Sequence, residues 1–285
     1  MKTEDNKEIV YKHQIITMFL WFLEIAGIEC QGSTNFEQEY MKRLKFQKVT
    51  DWKRFRACVD LLDDTEYALF SAFKYQLGDV RNNNNDIGEK YIRLYGILNA
   101  VFLQIGAFRE ISSLLHFQSK KEIENEFYKL DIYKLRGMAG SHTVDYYHDE
   151  ETLNANKLIN KKTSFRIVQV FLKKDGRSIN VIDENNVSFK FNLLDILLEY
   201  NQIATRLLAS MIRHSIENLI TKKEQKIEGK RRLEAYLSNL IDYSTIDENK
   251  AYREEQMRHI DKTLKDFKDP ELNSLDILFR KRIDL

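Results

Sequence analysis

Arg136 and His142 are the residue types, at the spacing, most suited to chemistry in this chain. They bracket Gly137-Met138-Ala139-Gly140-Ser141. A guanidinium keeps its charge and offers a planar fork that matches a phosphate. An imidazole titrates near neutral pH and can take or give a proton at an oxygen. Together they could hold an anion and move a proton beside it. Spacing alone is weak evidence. With 17 Arg and 6 His, about one Arg-to-His pair with four to six intervening residues is expected by chance, and the chain holds three.

Context separates the three. Arg253 and His259 stand on a charged tail that reads as a solvated helix face. Arg109 and His116 are a heptad apart on the most apolar helix, where they line or cap its buried face or contribute to binding. Arg136 is expected to end a helical segment. Gly137 and Gly140 would then let the chain bend and bring His142 within reach of the guanidinium. Ser141 lies between the two and Tyr146 follows them, and both are candidate substrate contacts.

Other constellations are missing from the sequence: a Gly-rich phosphate loop, H-E-x-x-H, C-x-x-C and G-x-S-x-G. The run His148-Asp149-Glu150-Glu151 is contiguous and cannot easily converge on one ion, so it reads as a solvated loop. No metal and no cofactor are expected. Cys30 and Cys58 lack a redox spacing and read as reduced thiols.

The elements that must position Arg136 are helical. One Pro and ten Gly in 285 residues favour long helices over a turn-rich β-fold. Helices are expected over 6–29, 36–47, from Asp51 as N-cap to about Leu77, over 88–117, and from Ser119 to about Leu135 or beyond. Phe55, Val59, Leu62, Tyr67, Phe70 and Phe73 are assigned to a buried side, and Asn82 to Asn85 to a surface loop. Three strands are expected at 164–171, 178–182 and 187–191, with turns at Asp175-Gly176 and Glu184-Asn185-Asn186. Asn192 should cap a helix from Leu193 to about Lys222. Charged helical segments follow at 224–242, 247–268 and after Pro270.

The expected class is therefore mainly α: a helical bundle with a small inserted antiparallel β-meander at about 164–191 and a helical C-terminal extension. The domain reading is 1–223 for the bundle and 224–285 for the extension. Net charge +1 and pI near 7.7 argue against gripping nucleic acid by bulk charge alone. The apolar run Ile15–Ile28 is shorter than the roughly 20 residues that span a bilayer and lacks the features of a signal peptide. No membrane association and a cytoplasmic location are expected.

At Arg136 to His142, and in the preceding helix from Lys90 to Gln104, the sequence resembles the HEPN superfamily over roughly 88–147. Gly137 follows the arginine where many members carry Asn, Asp or His. Val144 stands where one subgroup carries a tyrosine. The resemblance implies metal-independent cleavage of RNA at Arg136 and His142. It also implies a homodimer with the motif at the interface, and the role of a toxin or anti-phage effector, with an antitoxin or second defence subunit as partner. Two other readings stay open: a non-catalytic helical dimer that binds RNA, a nucleotide or a protein, and an interaction protein whose tail helices dock a partner.

Overall fold

A computed structural model of the chain describes residues 36–75, 77, 86–140, 164–170, 172 and 177–237, together with Lys12, Ile15, Ile16, Phe19, Leu20, Phe22, Leu23 and Ala26. These eight early residues are helical. Bounded elements follow as α1 (Phe36–Arg43), α2 (Val49–Tyr75), α3 (Ile87–Leu114), α4 (Lys120–Tyr128) and α5 (Asp131–Gly140). Then come β1 (Phe165–Ile167), β2 (Ser178–Asp183), β3 (Ser188–Asn192), α6 (Leu193–Leu219) and α7 (Lys223–Leu237). The protein is mainly α with one small antiparallel meander in the order β1-β2-β3. Its described residues gather into two compact units. One draws on 1–63, 108–120 and 204–285, the other on 64–107 and 121–203.

In the first unit, aromatic side chains make the core. Phe55 on α2 meets Phe19 edge-on at 5.7 Å, Phe46 at 5.5 Å and Trp52 at 5.9 Å. Such ring pairs add directional preference to the area they bury. Arg43 donates from Nη1 to the Leu219 carbonyl at 2.8 Å. It thereby supplies a partner and a positive charge to the end of α6, where helical carbonyls lack partners. α7 packs closely through Gly229, where an added Cβ would stand 3.1 Å from Ile220 Cδ1 and 3.2 Å from Phe22 Cε1.

The second unit holds the meander. Ile167 pairs with Val181, and Ile179 with Phe191. Phe165, Ile167, Ile179, Val181 and Phe191 are buried. The β2–β3 turn forms where expected. Asp183 Oδ1 accepts from the N–H groups of Asn185 and Val187, both at 2.8 Å, and Asn186 adopts φ 63°. Asn192 caps α6 as expected, its Oδ1 accepting from Leu194 N at 3.1 Å.

Four expectations are corrected. Asp51 is not the N-cap of α2. It sits in the first turn, and its Oδ2 reaches back to Lys48 N at 3.0 Å and Gln47 N at 3.2 Å, the acidic half of a capping box. Tyr67 is exposed, because the buried row of α2 runs Phe55, Val59, Leu62, Glu66, Leu69, Phe73. The helix expected from Ser119 to Leu135 breaks at Lys129-Leu130. Buried Leu130 turns the chain there, donating to Phe127 O and accepting from Tyr133 and Lys134. The first strand ends at Ile167, after which Gln169, Val170 and Leu172 are helical. The buried Lys90 Nζ donates to the Leu172 carbonyl at 3.0 Å, which anchors that departure from the sheet. The Asn82–Asn85 loop, the Asp175-Gly176 turn and the segments after 237 lie outside the described residues.

Candidate functional site

α5 is a short helix with a simple logic. Asp131 and Lys134 pair at 3.0 Å across its first turn. Ile132, Leu135, Met138 and Ala139 bury one face, and the helix packs on β1. Arg136 lies inside this helix, not at its end. Helical geometry runs on through Gly137 to Gly140, so the expected bend at Gly137 does not occur. A helix packed along one face tolerates a glycine at a cost of about 1 kcal/mol relative to Ala.

The Arg136 guanidinium carbon sits 3.7 Å from the ring centroid of Phe102 on α3. This is close cation–π contact, within the roughly 6 Å over which the ring quadrupole attracts a cation. Arg136 is half-buried, and Phe102 remains 36% exposed. Among the described residues, no carboxylate or carbonyl bonds to this guanidinium. Several other arginines differ: Arg43, Arg54, Arg93, Arg213 and Arg231 each hold a carboxylate. His142, Ser141 and Tyr146 lie outside the described residues.

Arg109 and His116 are placed in the first unit. Arg109 is half-buried beside Glu110. Burial pushes the Glu110 carboxyl up, but Lys120, by hydrogen bond and charge, and Arg54, by charge, outweigh it and hold the group below its usual value. The neighbouring Cys58 thiol is free, and burial followed by the Glu110 charge pushes it up, away from the reactive thiolate. Cys30 lies outside the described residues.

His116 has a backbone role. It is exposed, with φ 52°, at the left-handed position that closes α3. Phe117 N bonds to Ser112 O at 3.0 Å and His116 N to Ser113 O at 3.3 Å, which is the Schellman pattern. A histidine not singled out in the sequence supports the same helix end. His214 on α6 places Nε2 3.0 Å from the Leu115 carbonyl, with its ring 5.5 Å from that of Phe117.

The sequence reading also missed a buried polar chain in the second unit. Tyr200 Oη donates to Gln104 Oε1 at 2.8 Å, and Gln104 Nε2 donates to Glu66 Oε2 at 3.0 Å. All three residues are fully buried. Burial, then the Glu66 charge, pushes the Tyr200 hydroxyl well up, so it remains a donor. The available signal was phase: Glu66 and Gln104 occupy buried positions in mostly apolar rows.

Among the described residues no group of three or more His, Cys, Asp or Glu is placed to hold a metal ion. α3 is long and apolar enough to cross a membrane, and half of its most apolar window is buried within the protein. The chain matches no protein-family model, no curated protein and no solved structure.

Proposed function

We propose that this protein is a metal-independent endoribonuclease of HEPN type, working as a C2 homodimer in which Arg136 and His142 act on one phosphodiester. The observation that carries the reading is the Arg136 guanidinium. It is charged and half-buried, its central carbon lies 3.7 Å from the Phe102 ring centroid, and no carboxylate among the described residues neutralises it. Leaving a cation uncompensated is costly unless something else balances it, and a phosphate would do so by two parallel hydrogen bonds.

In the proposed step the ribose 2′-oxygen attacks the adjacent phosphorus and loses its proton to one His142. The P–O5′ bond breaks, and His142 of the second protomer returns a proton to the departing 5′-oxygen. The products are a 2′,3′-cyclic phosphate and a 5′-hydroxyl. Arg136 stabilises the extra negative charge on the phosphorane oxygens. Because RNA supplies the nucleophile, the step needs no metal-bound water. Two protomers supply the base and the acid that a single histidine cannot provide in one step. The biological role that follows is an effector toxic to its own cell or to an invading phage, restrained by an antitoxin or second subunit.

The purified chain should cut RNA in excess chelator, leave 2′,3′-cyclic phosphate ends and spare DNA. Arg136→Ala and His142→Ala should each lower cleavage by at least about 100-fold. Cleavage by His142→Ala at the parental rate would refute the catalytic assignment. Should the parent bind RNA in an Arg136-dependent manner yet never yield product, the protein is a binding module built on the same arginine.

A further inference from the structure

One face of α3 is apolar but unused by the core. Ile92 is 75% exposed, Tyr95 40% and Phe102 36%. Positions 92, 95, 99 and 102 advance by three, four and three, so they form one stripe along the helix. Tyr91 stacks on Tyr95 with ring centroids 5.9 Å apart and planes 25° apart. Asn99 is exposed between Tyr95 and Phe102. At Phe102 the stripe meets the Arg136 guanidinium, 3.7 Å above the ring.

We propose that this stripe is a stacking track for the bases of single-stranded RNA, leading the strand to Arg136; the inference rests on the ribonuclease reading above and names its substrate class. A strand of nucleic acid satisfies both halves of the surface. Its bases offer flat faces to Tyr95, and its backbone offers an anion to Arg136 where that guanidinium covers Phe102. A second apolar protein surface would cover the rings but enclose the guanidinium without a counter-charge.

The dimensions agree. Seven residues of helix separate Tyr95 from Phe102, a rise of about 10.5 Å, or about three stacked steps of 3.4 Å. The stripe therefore spans about four nucleotides, the lower end of the range that one small stacking surface covers. Duplex bases are already stacked on each other and cannot use the rings, so the track selects unpaired strands. It reads ring faces and not base edges, so it tolerates sequence.

The test uses the full chain and a fluorescein-labelled single-stranded deoxyuridine 12-mer, which lacks the 2′-hydroxyl and is not cut, beside a 12-base-pair duplex. Fluorescence anisotropy should show tighter binding of the single strand. Tyr95→Ala should weaken it about tenfold, while Tyr95→Phe, which keeps the ring, binds as the parent does. Arg136→Ala should lower the salt slope by about 0.7, and Tyr95→Ala should leave that slope unchanged. Tyr95 is a surface residue, and thermal melts of the variants will show that folding is intact.

Parental binding by Tyr95→Ala, failure of the parent to bind the single strand, or tighter binding of the duplex overturns the track. A concentration-dependent doubling of mass that Tyr95→Ala abolishes also overturns it, since the face would then belong to a second copy. Any of these results, found alongside Arg136-dependent cleavage of RNA by the parent, leaves the ribonuclease reading standing. Cleavage that survives Arg136→Ala sinks that reading separately.

Discussion

α3 is apolar around most of its circumference. Leu94, Leu98, Val101 and Phe108 are buried, while Ile92, Tyr95 and Phe102 face outward. Hydrophobic burial alone therefore discriminates weakly between rotational settings of this helix. A buried polar side chain discriminates strongly, because only one setting gives it partners. Gln104 is one such side chain, bonded to Glu66 at 3.0 Å and Tyr200 at 2.8 Å in a fully buried position. Replacing it with Leu keeps an apolar residue of similar size and deletes both bonds. A buried neutral bond contributes about 1 kcal/mol and one to a carboxyl group about 2 kcal/mol, so Gln104→Leu should cost about 3 kcal/mol. Tyr200→Phe should cost about 1–2 kcal/mol, since Gln104 Oε1 loses this donor away from water. In the Gln104→Leu background the same Tyr200→Phe change should cost less than about 0.5 kcal/mol, because the bond is already gone. Urea unfolding followed by circular dichroism measures all four corners of the cycle. Equal cost of Tyr200→Phe in both backgrounds, or a Gln104→Leu protein as stable as the parent, would refute the argument that this chain fixes α3. A change of setting by one residue turns the helix by about 100°, enough to carry Phe102 from beneath Arg136. Gln104→Leu should therefore also depress RNA cleavage beyond what its stability loss explains.

Two further predictions concern the packing of α7. Gly229→Leu should lower stability by about 1–3 kcal/mol through overpacking. Gly229→Ala should stay near neutral, since helix propensity gains about 1 kcal/mol against a tight fit at Ile220 and Phe22; a Leu variant that melts with the parent would mean α7 does not approach so closely. Glu234 holds Arg213 at 2.5 and 2.9 Å, and that hydrogen bond keeps its carboxyl below the usual value. A depressed folded pKa stabilises above the unfolded pKa of about 4.3 and is lost as pH falls through the folded value. Glu234→Gln should lower the melting temperature at pH 7 by the equivalent of less than about 1 kcal/mol, the pair being largely exposed. The gap should close below about pH 4; a gap that persists in acid would show that the side chain acts by packing.

Much of the fold was readable because its signals are local. Asn192 caps α6 through its own amide, and the turn after Asp183 forms from the residues expected. Two of the errors, at Tyr67 and at the end of the first strand, arose where tertiary contacts outvoted local preference. Tyr67 looked like part of an apolar row, but the row is in phase with Glu66, whose partner Gln104 lies 38 residues away. The first strand looked longer because Val168 and Val170 suit strands. The ladder instead ends with Val168 N on Asn180 O at 2.8 Å, and Lys90 takes the Leu172 carbonyl. Neither partner can be read from the strand's own sequence.

The candidate site divides along the same line. Residue type and spacing singled out Arg136, but the reason offered, a glycine bend freeing the next residues, does not describe α5. What distinguishes Arg136 is a long-range partner, Phe102, which the sequence reading placed on the preceding helix but did not connect with it. That partner changes the physics of the arginine. A flexible surface guanidinium loses side-chain entropy each time it binds an anion. One already held against a ring has lost part of that freedom on folding, so it binds a phosphate at a smaller entropic cost. Phe102→Leu should therefore weaken oligonucleotide binding although it removes no charge, by less than Arg136→Ala but in the same direction. Were Phe102→Leu to bind as the parent does while Arg136→Ala fails, the ring would be a bystander, and charge alone would explain the site.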